Sequence, residues 1–147
     1  MKRILGLAAL AIFSVGVTAA VAADVVYLSK DKVDAARMKP GMMTSGDDHV
    51  VIMSRRNKGG KAEIHAEQTD VFYIVEGSAT FVTGGAVVGA KDTGPGQKLG
   101  DSITGGTTHN LSVGDVIVIP KGTPHWFKEV PDLVVYYVVK AVTPGAK

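Results

Sequence analysis

The chain has 147 residues, 46% hydrophobic and 20% charged, with 16 basic residues, 14 acidic residues and no cysteine. Lys2 and Arg3 account for the whole basic excess, so the rest of the chain is balanced and carries no electrostatic footprint for nucleic acid and no basic cluster for a membrane surface. The absence of cysteine excludes disulfides, thiolate metal sites and a Cys nucleophile, so any metal must be held by His, carboxylate or backbone oxygen.

In chain order, Met1-Lys2-Arg3 leads into an apolar run from Ile4 to Val17 and a small-residue stretch from Thr18 to Ala23. This sequence of basic, apolar and small-residue regions is that of a secretory signal peptide over residues 1–23 rather than a membrane anchor, because the apolar run is short for a span. The expected product is periplasmic or secreted, has no stable membrane anchor, and comprises one domain over residues 24–147.

Ser29 at the N-cap, Asp31 in the first turn and apolar positions at helical spacing predict a short helix over about Lys30 to Met38, ended by Lys39-Pro40-Gly41. Met42 to Asp48 is polar and reads as loop, His49 to Ser54 as a strand, and Arg55 to Lys61 as a solvated basic turn. A strand at Val71–Val75, then Glu76-Gly77-Ser78, then Ser78–Thr83 reads as a hairpin. Eight glycines lie between positions 84 and 106, with Thr93 to Lys98 the most loop-like tract and Gly105-Gly106 resembling a two-residue hairpin turn. Strands follow at Val116–Ile119, from His125, and over Leu133–Val139, before a Pro/Gly/Lys-rich tail. Many short strands with one helix argue for an all-β sandwich or barrel.

The stretch Gly60 to Gly77 carries the chemistry. In an extended chain Glu63, His65 and Glu67 project from one face as a row of possible metal ligands, with Asp70 just beyond. His125 follows Pro120-x-Gly122-x2, His109 lies on a strand with Leu111, and Tyr73 and Trp126 adjoin these segments. No nucleophile elbow, phosphate loop or dinucleotide-binding glycine pattern is present.

Gly114-x5-Pro120-x-Gly122-x2-His125 resembles the second signature motif of the cupins, and Asp70-Val-Phe-Tyr-Ile-Val-Glu-Gly77 resembles the second half of their first. The resemblance covers Glu63 to Phe127 and implies a double-stranded β-helix, or jelly-roll barrel, with one short N-terminal helix added. It also implies a divalent metal held at the positions of Glu63, His65, Asp70 and His125. The chain departs from the pattern in having Glu63 for the first His, Asp70 for the usual Glu, Glu129 for the last Asn, and Asn57 where the first motif opens with Gly.

Two imidazoles and two carboxylates suit manganese, iron, nickel or zinc. Glu67 remains a competing ligand or a proton shuttle, and Glu67, Tyr73, His109 and Trp126 are candidates to line a pocket. The resulting expectation is an exported metal-binding cupin that acts on or binds a small molecule, with no nucleic-acid partner; a homodimer is expected by analogy with the family. The alternatives are a non-catalytic ligand-binding module and a metal-free one.

Overall fold

The computed structural model describes residues 24–142; the expected signal segment lies outside the described residues. Helix α1 spans Lys30–Met38, as the spacing predicts, with Ser29 extended at the N-cap position, Asp31 in the first turn and Arg37 in the last. The helix buries none of its residues and is tied to the sheet by an ion pair from Arg37 to Glu76 at 3.1 Å. Among the described residues no helix is long and apolar enough to cross a membrane.

The strands are β1 (Gly41–Ser45), β2 (His49–Arg56), β3 (Ala62–His65), β4 (Gln68–Thr83), β5 (Ala86–Val88), β6 (Lys91–Gly94), β7 (Gln97–Gly100), β8 (Ser102–Thr104), β9 (Thr107–Ser112), β10 (Val116–Ile119), β11 (His125–Glu129) and β12 (Val134–Val142). One wall is β1-β2-β12-β4-β10, in which β4 contributes its first half. The other is β9-β4-β11-β3-β7-β6, in which β4 contributes its second half. All these pairs are antiparallel, so strand alternation sends one set of side chains between the walls and the other set outward. The interior is filled by Phe72, Ile74, Phe81, Phe127, Val134 and Tyr136 among others. Phe81 and Phe127 meet edge to face at 4.6 Å between centroids, within the range aromatic pairs prefer.

The structure corrects several local expectations. The polar segment after Gly41 forms β1, which among the described residues is an edge strand paired with β2, so its polarity reflects its position and not a loop. Glu76-Gly77-Ser78 is not a hairpin. The chain runs through it as one 16-residue strand, bent where the register against β12 slips by a residue at Val75. Gly77 sits at φ +73°, and a Cβ there would lie 1.8 Å from the Leu133 carbonyl oxygen, so only glycine lets the strand turn from one wall into the other.

Thr93 to Lys98 is not loop throughout, because β6 and β7 pair across Pro95-Gly96. Gly105-Gly106 joins β8, paired with β5, to β9, paired with β4, and so links two sheets rather than closing a hairpin. The last strand continues beyond Val139 to Val142, which brings Lys140 into the sheet opposite Asp70.

Candidate metal centre

β3 and β11 are neighbours in register, with His125 directly opposite Glu63. Alternation along β3 turns Glu63 and His65 to the same face, while Asp70 enters from the start of β4. A hydrogen bond from Gly122 N–H to the His65 carbonyl, at 2.7 Å, ties the Pro120–Pro124 turn to the end of β3 and fixes where β11 begins. The four side chains converge: His65 Nε2 lies 3.3 Å from Glu63 Oε2 and 3.5 Å from Asp70 Oδ2, and His125 Nε2 lies 3.8 Å from Asp70 Oδ2. Potential ligand atoms of Glu63, His65 and His125 all fall within 4.8 Å of one another.

The imidazoles are oriented from behind. His65 Nδ1 bonds to Gln97 Oε1, and His125 Nδ1 to the Thr123 carbonyl at 3.0 Å. A carbonyl oxygen can only accept, so each Nδ1 carries a hydrogen and each Nε2 faces the shared space, as a lone pair when the ring is neutral and, in protonated His65, as an N–H donating to Glu63. Such outer partners are what metal-ligating histidines require. The donor set therefore fits a divalent cation.

Burial and charge act against each other at each of these groups. Burial disfavours charge on His65, but the hydrogen bond with Glu63 and the nearby Asp70 carboxylate outweigh it and raise the imidazole pKa above its ordinary value. Burial opposes ionisation of Glu63, yet the His65 hydrogen bond, His125 and Arg56 together hold its carboxyl below the usual range. His125 is dominated by burial, which pushes its pKa down and keeps the ring neutral. It sits against the aromatic interior, 6.1 Å from the Phe81 centroid and 6.4 Å from that of Phe72.

Asp70 is the most enclosed carboxylate of the group, only 2% exposed, and Lys140 donates to both of its oxygens at 2.9 and 3.0 Å. It thus faces an ammonium on one side and the two imidazoles on the other.

Beside the donors is a cavity of about 110 Å³. Its polar lining includes Arg56, Glu63, Asp70, His125, Tyr136 and Lys140, and an apolar wall is made by Ile52, Phe72, Phe127 and Val138. Arg56 is held in place by donating from Nε to Tyr136 Oη at 2.8 Å and from Nη2 to Glu63 Oε1 at 3.4 Å, with its guanidinium 4.8 Å from the Phe127 ring centroid. Burial raises the Tyr136 phenol pKa, so the hydroxyl stays protonated at neutral pH.

Four candidates for the pocket lie elsewhere. β3 stops at His65, so the alternation ends before Glu67, which is exposed in the turn beside Gly96. Tyr73 is on the outer face of β4, 45% exposed and stacked with Tyr137. His109 pairs across from Phe81 but places Nε2 2.8 Å from Thr83 Oγ1, away from the cavity. Trp126 packs behind β11 and donates to the Gly60 carbonyl at 2.8 Å.

In their place the cavity has Arg56, Tyr136 and Lys140, which sequence reasoning missed. The available signal was parity: Ser54 and Arg56 on β2, and Tyr136, Val138 and Lys140 on β12, alternate with outward-facing residues. A cation at an inward position of an apolar strand needs a partner.

A Cupin family model matches residues 42–147. Among solved structures, the chain resembles the BH2720 protein of Bacillus halodurans with a TM-score of 0.57 and 15% identity, covering 80% of this chain and 81% of that one. It also resembles the cupin domain of Schizosaccharomyces pombe Cnp3, with a TM-score of 0.52, 12% identity, and coverage of 71% and 60%. A third likeness, with a TM-score of 0.50 and 16% identity, is to an uncharacterized conserved protein with a double-stranded β-helix domain from Klebsiella pneumoniae, covering 74% of this chain and 78% of that one. No curated protein matches the sequence. These likenesses establish the fold, and the family model, which matches most of the chain, shows that the chain belongs to the cupin family.

Proposed function

We propose that this is an exported cupin that holds a divalent metal, with Mn, Fe, Ni or Zn as candidates, and uses it to bind or transform a small molecule. The ligands in this reading are His65, His125 and Glu63, with Asp70 beside them as a fourth donor once Lys140 yields. The observation that carries it is the anchoring of both Nδ1–H groups on carbonyl oxygens, which leaves both Nε2 atoms aimed at the space shared with Glu63. When bound, the ion supplies Lewis acidity to an oxygen-bearing ligand. The chain's own contribution is to orient that ligand with Arg56 and Tyr136 and to exclude water with Phe72 and Phe127.

One observation favours a second reading, a metal-free binding module: the Lys140 ammonium already supplies Asp70 with a counter-charge. Calorimetric titration of chelator-treated protein with Mn²⁺, Ni²⁺ and Zn²⁺ separates the two. Saturable uptake that is lost in both His65→Ala and His125→Ala supports the metal reading, and no uptake supports the metal-free one. Metal-dependent turnover across a panel of small carbonyl compounds would identify an enzyme, and binding without turnover a module. The proposed homodimer has a surface available to it, an outer sheet face exposing Tyr73, Val116, Val118 and Val139; a monomer mass by light scattering would remove it.

A further inference from the structure

Resting on the metal-binding reading, we infer that the ligand of this cavity is a small carboxylate of about two to four carbons, gripped by Arg56 and lying against an apolar wall. Three observations on the cavity lead there.

The first is charge. Within the cavity, the two cationic side chains Arg56 and Lys140 match the two carboxylates Glu63 and Asp70 in number. Lys61 stands at the edge, paired with Asp101 at 2.6 Å on the surface. A divalent ion added to this balanced set leaves an excess of positive charge in a partly enclosed space. An anion removes that excess, whereas a neutral ligand does not.

The second is the disposition of Arg56. Among the described residues two of its donors are engaged, Nε by Tyr136 and Nη2, at the longer distance of 3.4 Å, by Glu63. Packing over the Phe127 ring holds the guanidinium plane, and Gly60 leaves room for Nη1, because a Cβ at that position would lie 2.6 Å from it. A planar fork with a fixed plane and free N–H groups matches a planar carboxylate.

The third is size and polarity. The cavity of about 110 Å³ is smaller than the engineered cavity of roughly 150 Å³ that takes up benzene. Ile52, Phe72, Phe127 and Val138 offer a short apolar surface, which a bare inorganic anion would leave uncovered.

The test is an NMR titration of zinc-loaded protein with propionate, malonate, propionamide and inorganic phosphate, after zinc uptake has been measured separately. The expected result is that propionate or malonate binds at least tenfold more tightly than propionamide and phosphate. Arg56→Gln should remove at least tenfold of that affinity, Arg56→Lys less, and the exposed control Arg55→Gln none. Because Arg56 contacts Glu63, zinc content and the amide spectrum of each variant are recorded first; Arg56→Lys keeps a charge in place and serves as the test if Arg56→Gln does not fold. Zinc uptake combined with equal affinity for propionate and propionamide, with tightest binding of phosphate, or with full carboxylate affinity in a folded Arg56 variant would overturn the inference and leave the metal reading standing. Absence of zinc uptake would overturn the metal reading and this inference with it.

Discussion

Lys140, half-buried, and Asp70, buried, form a two-pronged pair across the β12–β4 register, with Nζ 2.9 and 3.0 Å from the two carboxylate oxygens. Asp70 is 2% exposed, and Lys140 and the two imidazoles are its ionisable neighbours among the described residues. Removing one partner of a buried pair typically costs about 3–5 kcal/mol, because the remaining charge is stranded. Lys140→Met should therefore destabilise the metal-free protein by about that much. A bound divalent ion would replace the missing cation, so added metal should raise the melting temperature of Lys140→Met by more than it raises that of the wild type. An equal rise in both proteins would show that the metal and Lys140 do not share Asp70.

Loss of a ligand should be separable from loss of its support. His125→Ala removes a donor and should weaken metal binding by more than the roughly 10–100-fold expected of an outer-sphere change, whereas Gln97→Ala, which frees His65 Nδ1, should fall within that range. His49→Ala is the control, since His49 pairs with Asp48 on the surface. Chelator-competition affinities for the three variants check this, and equal effects of His125→Ala and His49→Ala would remove the site from β11.

Metal uptake should compete with a proton at His65. Burial opposes that proton, but Glu63 and Asp70 retain it to a pH above the ordinary imidazole value of 6.5. Below the raised pKa the ion must displace it, so affinity falls as pH falls, by up to about tenfold per unit for the one proton. His125, kept neutral by burial, competes only at lower pH. The same proton stabilises the metal-free fold below the ordinary imidazole value, and that contribution is lost as pH rises through the raised one. Calorimetry in buffers of different ionisation enthalpy should record proton release on metal binding near neutral pH. Uptake without proton release, and with constant affinity between pH 8 and 6, would contradict this.

Gly77 and Gly84 share φ +73° but differ in surroundings: a Cβ at Gly77 meets the Leu133 carbonyl oxygen at 1.8 Å, and one at Gly84 meets nothing within 4 Å. Gly84→Ala should cost only the left-handed backbone penalty, about 1–2 kcal/mol. Gly77→Ala adds a backbone collision at the bend of β4 and should cost several kcal/mol or prevent folding. Denaturant midpoints of the two variants make the comparison, and similar midpoints would mean that β4 bends by some other means.

The parts of the structure legible in the sequence are those set by local spacing. Helix α1 follows from the spacing between Ser29 and Pro40, and the convergence of Glu63 and His65 from period-two alternation along β3. What escaped depends on partners far along the chain. Gly77 marks a reversal equally well as a hairpin turn or as a bend, and only the Leu133 carbonyl decides between them. Arg56 looks like part of a basic turn until Tyr136, 80 positions later, takes its Nε. Lys140 looks like the start of a polar tail until the β12 register places it against Asp70. Glu67 is the opposite case: alternation carried past His65 puts it in the row of possible ligands, whereas β3 has already ended there.

The central claim is that the donors of Glu63, His65 and His125 exist to hold a cation, and elemental analysis of the untagged protein, purified from an exporting host without chelator, tests it most directly. The expected result is about one divalent transition-metal ion per chain, falling close to zero in the His65→Ala/His125→Ala double variant. A wild-type protein that carries no metal as purified, and takes up none on reconstitution with Mn²⁺, Fe²⁺, Ni²⁺ or Zn²⁺, would contradict it.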